Sequence, residues 1–384
     1  MNRAVPLVIV AVLASGCGGA GEGSSSPAAS GSLAPLATSS GSTESAAPSA
    51  QVSSSAAPSD SLEGPDAGTR LETNGRSPSV VTAWRDGFAA LGEDLIWISA
   101  DGVAWDVAET TGIEGAVVDV VERTDGHLLA FGYRDVRDTD AFRTWVSDDG
   151  VAWAETQILP GEFVFLDVAY GGRGYVLAGR ALLDTGGPNP EQLWYSADAR
   201  TWELVRDTRT DKMLAAVGAG SEGFVAVGQQ GWQSGDPRGL VVASSDGTTW
   251  LEAPGDDTAL AGVGSLWTVA ALGGDWLTIP LTTGDELPIL WSANGLAWEA
   301  RSSLPVEPVD SGILGNLYSD GSRLFMGIAD GGGRTVTSAD LLTSGDAVTW
   351  TPTDIPRPAM PNAYAESGGM ILFLVDGVVY VTSR

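Results

Sequence analysis

The sequence predicts an all-β fold, a β-propeller of about seven four-stranded blades that follows a signal peptide and a disordered linker. A seven-residue motif recurs six times, at intervals of 48, 49, 48, 48 and 52 residues. A glycine-containing turn followed by a short apolar strand recurs seven times. Four short strands repeating near 48 residues are typical of a propeller blade. No long stretch shows the apolar spacing of an amphipathic helix, which a βαβ fold would require.

The first segment, residues 1–16, has the layout of a lipoprotein-type signal peptide. Arg3 supplies positive charge, residues 4–13 are apolar, and small residues at 14–16 precede Cys17. The apolar run is too short to span a bilayer as a helix. The segment resembles a bacterial lipoprotein signal, which implies that Cys17 is lipidated and anchors an extracytoplasmic protein to the cell membrane. An ordinary signal peptide with an incidental cysteine is the alternative.

The segment that follows, residues 17–75, is dominated by Ser, Ala, Pro and Gly. It has no apolar periodicity to bury, so we expect a disordered stalk. About fifty such residues reach on the order of 40 Å, enough to hold a domain clear of a surface. The propeller is expected to occupy residues 76–384.

The recurring motif, called the box below, reads Ser-x-Asp-Gly-x-x-Trp. Asn294 replaces Asp in the fifth copy, and Ala199 and Ala347 replace Gly in the third and sixth. Asp-Gly supplies the backbone angles and side-chain hydrogen bonds that tight hairpins need. The six copies place a serine, an acidic or amide residue and a tryptophan at Ser99, Asp101, Trp105, Ser147, Asp149, Trp153, Ser196, Asp198, Trp202, Ser244, Asp246, Trp250, Ser292, Asn294, Trp298, Ser344, Asp346 and Trp350.

Each unit is predicted to contain four strands: a first strand such as 117–121, a strand after the glycine turn, a strand ending at the box serine, and one beginning near the box tryptophan. The seventh unit begins near Gly369 and stops where a box would start. It therefore lacks its outermost strand. We expect residues 69–74 to supply that strand and close the ring, which also removes an open sheet edge.

The boxes resemble the Asp-box, or BNR, repeats found in sialidases and in many other β-propellers, over roughly residues 76–384. The family box has one further residue between Asp and Gly. The resemblance implies that the aspartates brace turns between third and fourth strands, away from the catalytic face. It also implies that the tryptophans pack between blades, as large buried aromatic rings usually do.

The enzymatic residues of sialidases find no residue-by-residue match here. Those enzymes use an arginine triad, a Tyr/Glu nucleophilic pair and an acid/base Asp. The single histidine, His127, and the single cysteine make a His-based zinc site, a Ser/His/Asp triad or a disulfide improbable. A glycoside hydrolase or lyase that uses carboxylates and tyrosine remains an alternative, because a catalytic pair among 49 acidic residues cannot be identified from the sequence alone.

Recognition is expected on the face opposite the boxes, called the loop face below. Its connections after the second strands, at 133–143, 182–192, 229–239 and 282–287, differ most among the repeats. Aspartates in the first of them could ligate Ca²⁺, but their spacing matches no EF-hand and favours a solvated loop. The candidate ligand-binding residues in these loops are Arg134, Arg137, Trp232 and Arg238.

The formal net charge of -29, from 49 acidic and 20 basic residues, repels polyanions. We therefore expect no nucleic-acid partner and no membrane contact beyond the lipid anchor. No cofactor and no metal are expected. The sequence favours a monomeric, membrane-tethered binding or scaffold module for an unknown protein or glycan ligand, with an envelope complex assembly factor as a further alternative.

Overall fold

A computed structural model describes two parts of the chain, residues 15–16 and 68–383, with short gaps in the second part. The predicted signal peptide is outside this range except for its last two residues, as are Cys17 and the stalk up to residue 67. The gaps are at 93, 124, 136–137, 160–162, 182–190, 209–210, 232–234, 281–286, 305–312, 333–334, 355–362 and 376.

The described residues form a seven-bladed β-propeller, which confirms the predicted fold class. Each blade is a sheet of four antiparallel strands. In blades 1 to 6 these strands follow one another in space in chain order from the innermost outwards, whereas the outermost strand of blade 7 comes from the start of the propeller. The first strand of blade 7 contacts the first strand of blade 1, so the blades form a ring. The strands of blades 1 to 3 are Val80–Trp84, Gly87–Leu91, Leu95–Ser99, Asp106–Glu109; Ala116–Glu122, Leu128–Asp135, Asp138–Ser147, Trp153–Leu159; and Phe163–Gly171, Gly174–Ala181, Glu191–Ser196, Glu203–Thr208.

Blades 4 to 7 repeat this arrangement. Two small elements add to the fourfold pattern of strands in the propeller. A one-turn helix, Thr258–Ala261, follows blade 4, and Ser15–Gly16 pairs in parallel with the first strand of blade 3. In the described residues, no helix has the length and apolarity to cross a membrane. The strands of blade 4 are Lys212–Gly220, Gly223–Gln230, Arg238–Ser244 and Leu251–Glu252, and those of blade 5 are Leu266–Leu272, Asp275–Pro280, Pro288–Ser292 and Glu299–Ser303. Blade 6 consists of Ile313–Ser319, Leu324–Gly332, Thr335–Ser344 and Thr351–Asp354, and the first three strands of blade 7 are Ala363–Ser367, Met370–Val375 and Val378–Ser383.

The pattern of burial explains why the inner strands are continuous apolar runs and do not alternate between apolar and polar residues. The second strand of each blade is covered on both faces by neighbouring blades, so every residue of Gly87–Leu91 is buried. The outermost strand of the same blade, Asp106–Glu109, is exposed at both ends. Buried apolar side chains accordingly form clusters between adjacent blades, as where Val120 and Leu128 of blade 2 share a cluster with Ile96 of blade 1.

The ring closes through residues from both ends of the described chain. Thr69–Arg70 pairs antiparallel with the last strand, with Thr69 opposite Val379 and Arg70 opposite Val378. The Leu71 amide donates to the Gly377 carbonyl at 3.0 Å, and the Leu71 side chain is 3% exposed. This strand lies where the sequence analysis expects a closing strand, as the outermost strand of blade 7.

Removing residues 68–74 should lower the stability of the whole propeller, because blade 7 loses its outer strand and a buried leucine. Loss of the leucine alone costs about 2 kcal/mol, which corresponds to a fall of roughly 3 °C in the melting temperature of a propeller of this size. Differential scanning calorimetry measures this. Removing residues 50–56 is the length-matched control and should leave the melting temperature unchanged. Equal melting temperatures for the two deletions would contradict the closure.

Candidate functional site

The box turns are closed by hydrogen bonds from backbone to side chain. In blade 1, Ser99 Oγ accepts from the Gly102 amide at 2.8 Å and donates to Asp101 Oδ1. Asp101 Oδ1 accepts from the Val103 and Ala104 amides, both at 2.9 Å. The same pair of backbone donors serves the equivalent oxygen at Asp149, Asp198, Asp246, Asn294 and Asp346.

These hydrogen bonds account for the ionisation of the box carboxylates. Donation from the Ala104 and Val103 amides lowers the pKa of Asp101. Asn294, which carries no charge, accepts the same two bonds at 2.9 and 3.0 Å. The turn therefore requires an acceptor oxygen at this position and not a negative charge.

The fourth box residue lies in the left-handed region and presses on the preceding blade. Gly150 has φ 76°, and a Cβ there would lie 2.6 Å from the Ile96 side chain of blade 1. Ala199 and Ala347 occupy the same position with φ 57° and 54°, and both are fully buried. At these two alanines the positive φ costs backbone strain energy, and the burial of a methyl group against the neighbouring blade offsets that cost.

The box tryptophans also pack on the preceding blade. Trp153 is 6% exposed and shares a cluster with Trp84 of blade 1. The Trp202 ring meets the Phe131 ring of blade 2 edge-on, with centroids 5.9 Å apart. Four of the six tryptophans are buried; Trp105 and Trp250 are half-buried.

Segments of the preceding blade bind the backbone of these tryptophans as well. The Trp153 amide donates to the Thr111 carbonyl at 2.8 Å. The Trp202 amide donates to Gln157 Oε1 at 2.7 Å. The Trp298 amide donates to Asp257 Oδ2 at 2.9 Å, while Oδ1 of the same carboxylate caps the short helix. The acceptors differ in type, but the contact between blades is the same.

A second set of contacts between blades lies on the innermost strands, at β-bulges. On the first strands of blades 2, 3 and 5, a bulge changes the direction of one side chain, namely that of Asp119, Asp167 or Thr268. Asp167 Oδ2 accepts from the Val217 amide of blade 4 at 2.8 Å. In the same way, Thr268 Oγ1 accepts from the Leu317 amide of blade 6 at 2.7 Å.

The two aspartates are buried, and their protonation is strongly perturbed. Burial raises the pKa of Asp167 to about 8, against the opposing effect of the Val217 and Val168 amides. Burial, with the nearby charge of Asp167, raises the pKa of Asp119 well above its usual range. Asp119 Oδ1 accepts from the Val120 amide at 2.7 Å, and Oδ2 has no hydrogen-bond partner among the described residues. Both side chains are therefore enclosed in the core, where they contribute to packing between the inner strands.

The protonated aspartates predict a loss of stability at alkaline pH. Both pKa values are higher in the folded than in the unfolded chain, so their stabilising effect is complete below about pH 4 and is lost as the pH rises through about 8. Asp119→Asn mimics the neutral acid and keeps the acceptor for Val120. It should therefore reduce the fall in melting temperature between about pH 5 and pH 9.

Calorimetry at a series of pH values measures this effect. Asp106→Asn, at an exposed position of an outermost strand, is the control and should melt with the same pH dependence as the unsubstituted protein. If Asp119→Asn also followed that dependence, the coupling of this carboxyl to stability would be refuted.

The one histidine lies on the first turn of blade 2. Its Nδ1 is 3.0 Å from Asp148 Oδ1 and 3.8 Å from Asp125 Oδ2, both exposed carboxylates. Among the described residues, no group of three or more His, Cys, Asp or Glu side chains could hold a metal ion.

The structure does not gather the predicted loop residues into one site. Arg137 and Trp232 lie outside the described residues, and only the backbone of Arg134 is described, near the end of a strand of blade 2. Arg238 begins the third strand of blade 4. Its Nη1 donates to the Gly255 carbonyl at 3.2 Å, and its Nη2 donates to Asp236 at 3.4 Å.

The loop face is nevertheless uneven. Between the second and third strands, blade 1 has a connection of residues 92–94 and blade 7 one of 376–377. The corresponding connections run over 182–190 in blade 3, 231–237 in blade 4 and 281–287 in blade 5. The longest of these connections therefore belong to three consecutive blades, blades 3 to 5.

Two sets of ion pairs lie in blade 3 and where blade 3 meets blade 4. Glu191 is 2% exposed, and its Oε1 accepts from Arg180 Nε at 2.7 Å. Lys212 Nζ lies 2.6 Å from both carboxylate oxygens of Glu252, which also accepts from Arg206 Nη2 at 3.3 Å. We call these five residues the blade 3/4 cluster.

Sequence reasoning missed this cluster, although Glu191 lies in a loop flagged as variable and Lys212 is the only lysine. Burial raises the pKa of Glu191, and the ion pair with Arg180 opposes that effect. Glu191 Oε2 is buried without a hydrogen-bond partner in the part of the chain that the structure describes. Glu252 is shared by two cations. Both carboxylates are therefore engaged by cations within the cluster.

The fold and these sites define a seven-bladed propeller with a closed ring and a polar loop face. Neither a protein-family model nor a curated protein matches the sequence. Solved structures match the fold. A streptogramin B lyase structure has a TM-score of 0.53 at 10% identity, with 85% of this chain and 97% of that chain covered.

Two further structures give similar values. A catalytically inactive histidine-to-alanine variant of virginiamycin B lyase from Staphylococcus aureus, with quinupristin, has a TM-score of 0.54 at 10% identity, covering 82% of this chain and 98% of that chain. YCF48 bound to a D1 peptide has a TM-score of 0.52 at 15% identity, covering 82% and 95%. At these identities the likeness shows the fold alone.

Proposed function

We propose that the protein is an extracytoplasmic binding module, lipidated at Cys17, whose loop face holds a protein or glycan ligand. Residues 17–67, the part of the predicted stalk that precedes the closing strand, serve as the tether. In this proposal the boxes are Asp-box repeats with a purely structural role. Their support is the hydrogen-bonded turn that recurs six times, in which the Asp or Asn side chain binds amides of its own turn and a tryptophan ring such as that of Trp153 packs on the preceding blade.

The direction of the closing strand carries the proposal. Thr69 lies opposite Val379, and a Cβ on Gly68 would lie 2.7 Å from the Tyr380 ring. The chain before Gly68 therefore leaves toward the Ser383 end of the last strand, which is the end where the boxes lie in the other blades. The tether therefore joins the propeller on the box side, and its attachment point does not occupy the loop face with its long connections.

Non-catalytic binding is supported by the chemistry of the described acids and of the histidine. Asp119, Asp167 and Glu191 are buried, and Glu252 is engaged by two cations. The likeness to virginiamycin B lyase does not extend this far, because replacing one histidine inactivates that enzyme. Here the single histidine, His127, sits on the box side among exposed carboxylates.

Site-specific cross-linking tests which face binds. A photoreactive p-benzoylphenylalanine in place of Asp236, an exposed loop-face residue of blade 4, should give adducts in envelope preparations. The same group in place of Thr248, exposed in the box of the same blade, should give none. Adducts from position 248 alone, or from neither position, would contradict the proposal. Radiolabelled palmitate tests the tether in the same cells: it should label the protein but not a Cys17→Ser variant.

A further inference from the structure

We propose that Asn74 is a site of spontaneous deamidation, and that this modification loosens the closure of the ring. The chain contains two Asn-Gly pairs, Asn74-Gly75 and Asn294-Gly295. An asparagine followed by glycine is especially prone to deamidation, because glycine has no side chain to hinder attack by its own backbone nitrogen. The inference concerns a covalent change in the protein and is independent of the proposed binding function.

The reaction consumes water and releases ammonia. The backbone nitrogen of Gly75 attacks Cγ of Asn74, the Cγ–Nδ2 bond breaks, and ammonia leaves with the amide proton of Gly75, so that a five-membered succinimide ring remains. Water then opens this ring at one of its two carbonyl carbons. Opening at Cγ gives aspartate. Opening at the main-chain carbonyl gives isoaspartate, in which the backbone passes through Cβ and Cγ and is one atom longer.

Asn74 and Gly75 form the exposed turn of a two-residue hairpin. The φ angles are 54° at Asn74 and 77° at Gly75, as in the turns that Asn-Gly favours. Two backbone hydrogen bonds between Thr73 and Arg76, of 2.9 and 3.0 Å, hold the hairpin. The Asn74 side chain has no partner among the described residues, and a Cβ on Gly75 would meet nothing within 4 Å. The peptide between the two residues is therefore free to rotate for attack when the turn opens.

The second Asn-Gly pair is protected by its box. Asn294 Oδ1 accepts from the Leu296 and Ala297 amides at 2.9 and 3.0 Å. Gly295 is buried, and a Cβ there would lie 2.6 Å from the Val225 side chain of blade 4. Ring formation at Asn294 requires these hydrogen bonds to break and a buried peptide to rotate against blade 4. The two pairs therefore differ in reactivity although their sequences are the same.

The exposed turn connects the closing strand to blade 1. Leu71, which is 3% exposed, lies two residues before Thr73, and Arg76 forms an ion pair with Asp94 of blade 1 at 2.7 Å. A two-residue turn fixes the pairing of Thr73 with Arg76, and an extra backbone atom at position 74 is incompatible with that turn. We expect isoaspartate to break this pairing and to weaken the attachment of the closing strand.

Ageing of the purified full-length protein tests the site. The protein is incubated at neutral pH and physiological temperature and then digested, and mass spectrometry with electron-transfer fragmentation locates aspartate and isoaspartate. Asn74 should convert about tenfold or more faster than Asn294, since the hydrogen bonds to Oδ1 of Asn294 must open before attack. Equal rates at the two positions, faster conversion of Asn294, or no conversion of Asn74 would overturn the inference.

Calorimetry of the aged protein tests the effect on ring closure. Asn74→Gly is the matched control, because glycine adopts the positive φ and has no side-chain amide to react. The unsubstituted protein should melt at a lower temperature after ageing, whereas Asn74→Gly should melt as it does when fresh. If both proteins lost stability equally, or if protein carrying isoaspartate at position 74 melted like fresh protein, the link between Asn74 and the closure would be wrong.

Discussion

The ring depends on the contact between each box and the blade before it. The box tryptophan packs its ring on that blade, as Trp153 does on Trp84, and an acceptor from the segment leaving that blade binds the tryptophan amide. Bulged side chains such as Asp167 and Thr268 add a second set of links near the axis. A chain with one cysteine has no intramolecular disulfide, and these repeated contacts between blades replace it.

Much of this architecture could be predicted from the sequence because the repeat places rare residues in register. Six tryptophans at a fixed interval predict the blade period, and the glycine turns predict a seventh blade. The helix Thr258–Ala261 could not be predicted, because one turn is too short to show a helical period. The bulges were also missed, since a one-residue shift in pairing leaves no trace in an apolar run.

The loop face was harder to predict than the framework. Variable connections identified the correct side of the molecule for long loops, but they carried no information on which side chains meet. Arg180 and Glu191 are eleven positions apart and lie on two adjacent strands, and the Glu191 carboxyl faces the backbone amide of Leu214 in the next blade. Such a pairing requires the blade packing to be known. The burial of Asp119, by contrast, could have been predicted, because a single acid inside the apolar strand Ala116–Glu122 has to be buried in a propeller.

Calorimetry of a Trp153→Ala variant tests most directly whether the boxes hold the ring together. Loss of a buried tryptophan costs about 3 to 5 kcal/mol. If neighbouring blades depend on one another through these contacts, the variant should unfold in a single transition of all seven blades at a lower temperature. An unchanged melting temperature, or an early separate transition confined to one blade while the remaining blades melt normally, would contradict this account.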